Sequence, residues 1–207
     1  MIIEQLVEWR KTEDNMEVIA ANPPDLIVPI SYGAIDKDRL TLGTVQNINR
    51  AISLMRLFPD AKMIISSCSY LFADAGFREE ILRSQIIQDA GLPDRTINAR
   101  YMINSVGEAE AVREKAAQHR ISADRIAIVT GPMHSRSARL IYQYTFPKSK
   151  IMIVCTNWKK EFQPHHRAPI QRTAWRWFFA NEARYALLKT IGPERIKNLH
   201  HRTSVKS

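Results

Sequence analysis

The sequence predicts an α/β fold, a Rossmann-like three-layer sandwich around a mainly parallel sheet of about five strands. Short runs rich in isoleucine and valine alternate with longer segments of helical periodicity, which is the order of parallel βαβ units. These runs are almost continuously apolar, as expected of strands buried on both faces. Most of them end in small polar residues, so we expect those side chains to converge at the carboxyl edge of the sheet.

The elements follow one another at regular intervals. The predicted strands are residues 26–30, 62–66, 124–130 and 150–155, with a weaker strand near Thr96–Ala99. Helices are predicted over Asn47–Phe58 and Phe77–Gly91 from the spacing of their apolar residues. The polar loop at 31–44 is longer than a usual βα connection, and we expect it to cover the site.

The chain of 207 residues is predicted to be a single domain, since 45% apolar and 25% charged residues are typical of a globular protein with its own core. Three parts are distinguished by pattern: an N-terminal helix at 1–22, the α/β body at 25–157, and a basic helical region with a tail at 158–207. The N-terminal helix is predicted to turn Ile2, Leu6 and Trp9 toward the core.

The basic excess is concentrated in the last quarter of the chain. Residues 158–207 contain eleven Lys or Arg and three Glu, a surplus of eight out of the net charge of +9. A helix is predicted from about Ala168 to Ile191, with Trp177 or Phe178 packed on the body, and the tail after Gly192 is expected to be mobile. Binding of nucleic acid or of an anionic membrane surface is the alternative, although no known nucleic-acid-binding module is present.

Missing motifs argue against several function classes. There is no Walker A sequence, no full Gly-x-Gly-x-x-Gly fingerprint and no Gly-x-Ser-x-Gly elbow. No metal site is predicted, because His-x-x-x-His and Cys-x-x-Cys pairs are absent, and no cofactor is indicated. The two cysteines, Cys68 and Cys155, are expected to be buried thiols. Acidic residues in the first turns and the lack of a membrane-length apolar run lead us to expect a cytoplasmic protein.

The first candidate for a site is the segment 125–139, a buried strand followed by a turn and a helix. His134, Ser135 and Arg136 open this helix at the place where α/β proteins bind ligands. We expect the helix dipole and Arg136 to keep the imidazole of His134 neutral at pH 7, a form suited to a general base. The alternative is a partly exposed helix cap, whose loss costs about 1 kcal/mol of stability.

Residues from about 25 to 157 resemble those of the YdcF/SanA/ElyC-like proteins, an α/β family of largely unknown function. The resemblance is carried by Asp25-Leu-Ile-Val, Arg50-Ala51 with Leu54, Ile64-Ile-Ser-Ser67, Glu79 twelve residues before Gly91-Leu-Pro93, Asn104-Ser-Val-Gly-Glu108-Ala109, and Val129-Thr130 followed by His134. It implies a ligand crevice at the carboxyl edge, adenine-nucleotide-type ligands and a link to cell-envelope processes.

The sequence departs from this family at three places. Ser31-Tyr32-Gly33 stands in place of a glycine-rich turn, Ser66-Ser67-Cys68 in place of Ser-Gly-Gly, and Ser137 in place of an arginine. In the first two, side chains fill space that glycine would leave open to a ligand.

The candidate site combines the residues after each strand with those that the resemblance singles out. His134 and Glu79 are the predicted catalytic residues. The predicted ligand-binding residues are Ser31, Tyr32, Gly33, Arg50, Ser66, Ser67, Asn104, Ser105, Glu108, Thr130 and Arg136. We expect Ser31, Ser66, Ser67, Ser105 and His134 to face one cavity. Ser105 and Glu108 also match a capping box, which is a structural alternative for both.

Two hypotheses of different classes follow. In the first, the protein binds a small anionic or nucleotide-like ligand, such as S-adenosylmethionine or a phosphate-containing molecule, at the carboxyl edge of the sheet. A wider version of this hypothesis adds that the protein also catalyses a reaction of the ligand. In the second, it is a non-catalytic sensor or adaptor that uses its basic C-terminal region to bind an acidic partner. The departures at Tyr32, Ser67 and Ser137 favour the second hypothesis.

Overall fold

The computed structural model of the protein describes residues 2–36, 38–68, 79–102, 104–166 and 168–192. The helices in these ranges are α1 (Ile2–Arg10), α2 (Met16–Ala21), α3 (Leu42–Leu57), α4 (Glu79–Asp89), α5 (Ser105–Gln118), α6 (Ser135–Thr145) and α7 (Ala174–Ile191). The strands are β1 (Leu26–Pro29), β2 (Ala34–Asp36), β3 (Arg39–Leu40), β4 (Lys62–Cys68), β5 (Thr96–Met102), β6 (Arg125–Thr130) and β7 (Lys150–Cys155).

The main sheet is parallel and contains five strands in the order β5-β4-β1-β6-β7. This confirms the predicted α/β fold, and the sheet contains all four predicted strands as well as the weaker fifth. The chain builds the sheet outward from β1 to β5, returns to the centre, and then adds β6 and β7 on the other side. The reversal creates a topological switch point between β1 and β6, where doubly wound sheets open a crevice at their carboxyl ends.

Each face of the sheet has its own apolar core. Val28, Ile128 and Ile153 point to the face that is covered by α1, α5, α6 and α7. Their neighbours Val129 and Val154 point to the opposite face, covered by α2, α3 and α4. Since successive strand residues alternate between faces and both faces are buried, the strands need apolar residues at every position.

The outer edge of β7 is covered by the connector between α1 and α2. The amide of Asp14 donates to the carbonyl of Ile153 at 2.9 Å, and the Asp14 carboxylate accepts from the Ile153 amide at 2.7 Å. Arg139 of α6 also binds this carboxylate, and the amide of Cys155 donates to Glu13 at 3.2 Å. The connector thus satisfies backbone groups of β7 that a further strand would otherwise pair.

The N-terminal region differs from the single helix that the sequence predicts. It forms two helices, and the break at residues 11–15 allows Asp14 to reach β7. The predicted inward face was wrong for Trp9, which is 76% exposed, and for Ile2, which is 69% exposed. Leu6 packs against the core as predicted, together with the buried Val7. Apolar residues lie on several sides of this segment, so helical periodicity alone did not identify the side that packs.

Several of the other helices, strands and loops begin or end a few residues away from their predicted boundaries. The predicted polar loop at 31–44 contains the β2–β3 hairpin and the first turn of α3, which Thr41 caps. β4 continues through the residues that were predicted to form a turn. α7 begins at Ala174 and ends at Ile191, and the following Gly192 has a φ of 77°, in the left-handed region that glycine favours. The tail at 193–207 lies outside the described residues.

None of the helices in the described ranges is both long enough and apolar enough to span a bilayer.

Replacing Ile128 in the centre of the sheet should be costly. The Ile128→Ala variant leaves a cavity at a fully buried position and should lower the free energy of unfolding by about 2–4 kcal/mol. Leu57→Ala is the control, because Leu57 is 56% exposed and its loss should change stability by less than about 0.5 kcal/mol. Urea denaturation followed by circular dichroism measures both, and equal losses would contradict this packing.

Candidate functional site

Four polar side chains meet at the carboxyl ends of β1 and β4, where α4 and α5 begin. Ser31, Ser66, Glu79 and Glu108 are termed the serine–glutamate cluster. The hydroxyl of Ser31 donates to Glu79, and the hydroxyl of Ser66 donates to Glu108. All four side chains are buried. The structure therefore brings together one member of each of four separate sequence segments.

Arg83, which the sequence analysis did not single out, provides the positive charge of this cluster. It is fully buried, donates to the carbonyl of Pro29 at 2.7 Å and to that of Ser66, and lies 3.8 Å from the Glu79 carboxylate. A signal was present, since Glu79 and Arg83 are four residues apart on one helix. Arg83 thus pairs with Glu79 and also acts to lower the pKa of Glu108.

The hydrogen bonds of Glu108 within the cluster use one of its carboxyl oxygens. Its Oε1 accepts hydrogen bonds from the Ser66 hydroxyl and, at 3.4 Å, from the amide of Ser31. Its Oε2 takes part in neither of these hydrogen bonds. Burial raises the pKa of Glu108 to about 7, although Ser66, Arg83 and the amide of Ser31 act to lower it. A carboxyl group with this pKa exchanges its proton near neutral pH.

The predicted capping box at Ser105 and Glu108 was wrong. Asn104 caps α5 instead, through a hydrogen bond of 2.9 Å from the amide of Gly107 to its side chain. Ser105 is the first residue of the helix and is half-buried. Because the cap lies one residue earlier than predicted, the Glu108 side chain is not used by the helix terminus and turns to Ser66.

A third buried carboxylate, Glu161, lies at the switch point. Its Oε1 accepts from the amide of Met133 at 2.9 Å, and its Oε2 accepts from the hydroxyl of Tyr32 and from the indole of Trp177, each at 3.1 Å. These residues and Thr130 are termed the Glu161 cluster. Burial raises the pKa of Glu161 to about 7 against the lowering effect of its donors.

Glu161 was not predicted as a site residue, because no motif surrounds it in the sequence. The clearest trace in the sequence is Gly131 in the β6–α6 turn. A Cβ atom at Gly131 would lie 2.0 Å from the Glu161 carboxyl carbon, so glycine is needed for the carboxylate to approach the turn. That requirement becomes visible only when the chain is folded.

Tyr32 is held by protein groups on all sides. Its hydroxyl accepts from the amide of Gly131 at 2.9 Å, lies 3.0 Å from the Thr130 hydroxyl, and donates to Glu161. Its carbonyl accepts a hydrogen bond of 3.0 Å from His166, whose other ring nitrogen accepts from the amide of Ala168. Gly33 follows with a φ of 84°, which turns the chain into the β2–β3 hairpin. The side chain of Tyr32 therefore fills the switch-point crevice.

His134 is buried behind Tyr32 and Trp177 and is only 1% exposed. Its Nδ1 lies 2.9 Å from Oδ1 of Asn181, and the Asn181 amide nitrogen donates to the carbonyl of Trp177. This orientation of the amide makes Oδ1 an acceptor and places the imidazole proton on Nδ1. Arg184, 3.4 Å from Nδ1, then acts as a nearby positive charge.

The imidazole is neutral at pH 7, as the sequence analysis expected, but for different reasons. Burial lowers the pKa of His134 to about 3, and Arg184 acts in the same direction. Arg136, which was expected to supply the positive charge, instead stacks 3.8 Å above the ring of Tyr185 and pairs with Glu182. His134 makes no side-chain bond to the helix terminus, so the exposed-cap alternative was also wrong.

The single cavity expected from the sequence is replaced by two adjacent clusters. Ser31 and Ser66 belong to the serine–glutamate cluster, His134 borders the Glu161 cluster, and the consecutive residues Ser31 and Tyr32 connect the two. Arg50 is half-buried in α3 and bonds to no described residue of either cluster. Ser67 continues β4, and its side chain lies outside the described part of the chain.

Neither a metal site nor a protein family is identified for the described part of the chain. No group of three or more His, Cys, Asp or Glu side chains within the described ranges could hold a metal ion. No family model matches the chain, and no curated protein shows significant similarity to it. The resemblance to the YdcF/SanA/ElyC-like proteins therefore stays a prediction.

The raised pKa of Glu161 should make stability depend on pH. The folded state keeps the proton up to about pH 7, whereas the unfolded chain releases it near the usual value of 4.5, so this contribution is present at low pH and is lost as the pH rises. Relative to Glu161→Gln, the wild type should lose about 3 kcal/mol of unfolding free energy between about pH 5 and pH 8. Glu114→Gln, an exposed site on α5, is the control and should leave the pH dependence unchanged.

Loss of the His134 side chain should destabilise the protein by more than a cap would. His134→Ala removes a buried ring and leaves the Asn181 carbonyl oxygen without its donor, at a cost of about 2–4 kcal/mol. His119→Ala is the control, because His119 is exposed at the end of α5. A loss near 1 kcal/mol in thermal or urea unfolding would support the original cap interpretation instead.

Proposed function

We propose that the protein binds a small nucleotide-like ligand at the carboxyl edge of the sheet, through the serine–glutamate cluster. The observation that carries the proposal is the Glu108 carboxyl at this edge, whose hydrogen bonds within the cluster use one oxygen and whose pKa burial raises to about 7. Its other oxygen takes part in neither bond, and a carboxyl oxygen can accept further hydrogen bonds. A hydroxyl or amino group of a ligand would supply such a donor.

The charge of the cluster narrows the chemistry of the contacting group. Glu108 is itself a carboxyl group, and the nearby Glu79 acts to raise its pKa, so a phosphate placed at Glu108 would meet groups of the same sign. A ribose hydroxyl donates a hydrogen bond and carries no charge. S-adenosylmethionine has such hydroxyls and no phosphate, so it fits this position better than the phosphate-containing ligands of the initial hypothesis.

If the protein also turns its ligand over, Glu108 is the residue best suited to transfer a proton. Its pKa of about 7 matches the requirement for a general base or acid near neutral pH. Glu79 is bound by Ser31 and Arg83, which suits a positioning role. His134 lies behind Tyr32 and Trp177 and is remote from solvent, so we assign it no contact with the ligand.

One observation favours the adaptor hypothesis as a second candidate. Tyr32 occupies the switch point, and its hydroxyl is already bonded to Gly131 and Glu161. This is the position at which glycine-rich turns of related folds leave room for a phosphate group. An adaptor would need the body only as a scaffold and would bind no small molecule at Glu108.

Thermal unfolding in the presence of candidate ligands separates the two functions. S-adenosylmethionine, adenosine, ATP and a sugar phosphate are tested on the full chain, because a ligand that binds only the folded state raises the melting temperature. We expect stabilisation by a ribose-containing compound and a fall in its affinity of about tenfold or more in Glu108→Gln, which loses a charged hydrogen bond. Calorimetric titration measures the affinities.

Glu114→Gln serves as the matched control, since it removes the same charge from the exposed side of the same helix. It should bind the ligand as the wild type does. If no ribose-containing compound stabilises the wild type, or if Glu108→Gln binds with unchanged affinity, the proposed site is wrong and the adaptor hypothesis gains support.

A further inference from the structure

The last helix, α7, is apolar on two opposite faces. Trp177, Phe178 and Leu188 are buried against the α/β body, as the sequence analysis expected for the aromatics. On the outer side, Trp175 is 44% exposed and Phe179 is 61% exposed. A helix that is apolar around most of its circumference is normally covered on both sides. The outer face of α7 has no such cover among the described residues.

The exposed residues form one continuous strip. Trp175, Phe179, Ala183 and Ala186 are three or four residues apart and therefore lie on the same side of the helix. The rings of Trp175 and Phe179 stack with their centroids 5.8 Å apart. At 1.5 Å per residue, the strip is about 17 Å long. Its shape is a straight ridge.

Positive charges flank this strip. Arg176 and Lys189 are exposed on its two sides, and Arg172 is exposed just before the helix. The one acidic residue in the sequence of α7 is Glu182, which is bound by Arg10 and Arg136. The region from 158 onward also holds eight of the nine surplus positive charges of the chain. A partner for this face should therefore be anionic.

We propose that the outer face of α7 docks on the surface of an anionic lipid bilayer. The helix lies in the plane of the interface, with Trp175 and Phe179 inserted among the upper parts of the acyl chains. Arg176 and Lys189 extend to the lipid phosphates on either side. Aromatic and aliphatic residues on one face with flanking Lys and Arg are the composition of helices that lie on membranes.

Two other occupants fit this face less well. A second copy of the chain would bring two positively charged rims together, and their repulsion opposes a dimer through this strip. An acidic protein would match the charge, but a convex ridge with two stacked aromatic rings offers it no groove. A bilayer surface accepts a straight apolar ridge along its whole length.

Vesicle co-sedimentation of the full chain tests the proposal. Vesicles of phosphatidylcholine mixed with phosphatidylglycerol should bind the protein, vesicles of phosphatidylcholine alone should bind it weakly, and added salt should weaken binding because the charges are screened. The double variant Trp175→Ser, Phe179→Ser should reduce partitioning into the anionic vesicles by about tenfold or more. Arg176→Ala with Lys189→Ala should lower binding and its salt dependence.

Matched controls use exposed residues elsewhere. Leu57→Ser removes an apolar side chain that is 56% exposed on α3, and Arg113→Ala with Lys62→Ala removes two exposed charges; both should bind vesicles as the wild type does. Unchanged melting temperatures show that each variant is folded. Absence of binding to anionic vesicles overturns the proposal. An equal loss of vesicle binding in the control variants also overturns it. So does a dimer, detected by light scattering, that the double variant Trp175→Ser, Phe179→Ser converts to a monomer.

Discussion

The carboxylate of Glu161 joins three parts of the chain that are distant in sequence. Tyr32 at the end of β1, Met133 in the β6–α6 turn and Trp177 of α7 all donate to it. No other acceptor for the Trp177 indole is found among the described residues, so removing the carboxylate would leave buried donors unsatisfied. The position of Tyr32 follows from these bonds. Since Ser31 precedes it directly, the serine–glutamate cluster depends on the same carboxylate.

The two clusters differ in how fully their hydrogen bonds are satisfied. In the Glu161 cluster both carboxylate oxygens are engaged, and burial together with the nearby Glu161 raises the pKa of the Tyr32 hydroxyl, which keeps it protonated. In the serine–glutamate cluster the hydrogen bonds of Glu108 use one of its two oxygens. The first arrangement is that of a structural junction, and the second is the one that we propose a ligand donor completes.

The parallel sheet could be predicted because burial on both faces leaves a direct record in the sequence. The runs around Val28, Ile128 and Ile153 contain almost no polar residue, and no other kind of element requires that over so few positions. The carboxyl edge followed from the same pattern, and Ser31, Ser66 and Glu108 do meet there. The N-terminal helices were harder, because Trp9 and Val7 are equally apolar and only tertiary contacts decide between them.

The roles of individual site residues could not be predicted to the same extent. Arg83 and Glu161 bond to partners up to 129 residues away, and apart from the four-residue spacing of Glu79 and Arg83, local patterns hold no information about these contacts. Asn104 and Ser105 are both good cap residues, and a difference of one position decided whether Glu108 faced the helix or the cluster. For His134, the neutral state was foreseen from the helix terminus, although burial turned out to be the larger cause.

The cover on β7 has a consequence for how the protein behaves among other copies of itself. A free strand at the side of a sheet invites pairing with a strand of another molecule, the first step of many aggregates. Here the amide of Ile153, which an approaching strand would need, already donates to Asp14. The amide of Cys155 beside it donates to the carboxylate of Glu13. Asp14 lies 139 positions before Ile153 in the chain, and Glu13 lies 142 positions before Cys155. The sheet is therefore closed to intermolecular growth on this side only after the two ends of the α/β unit have come together.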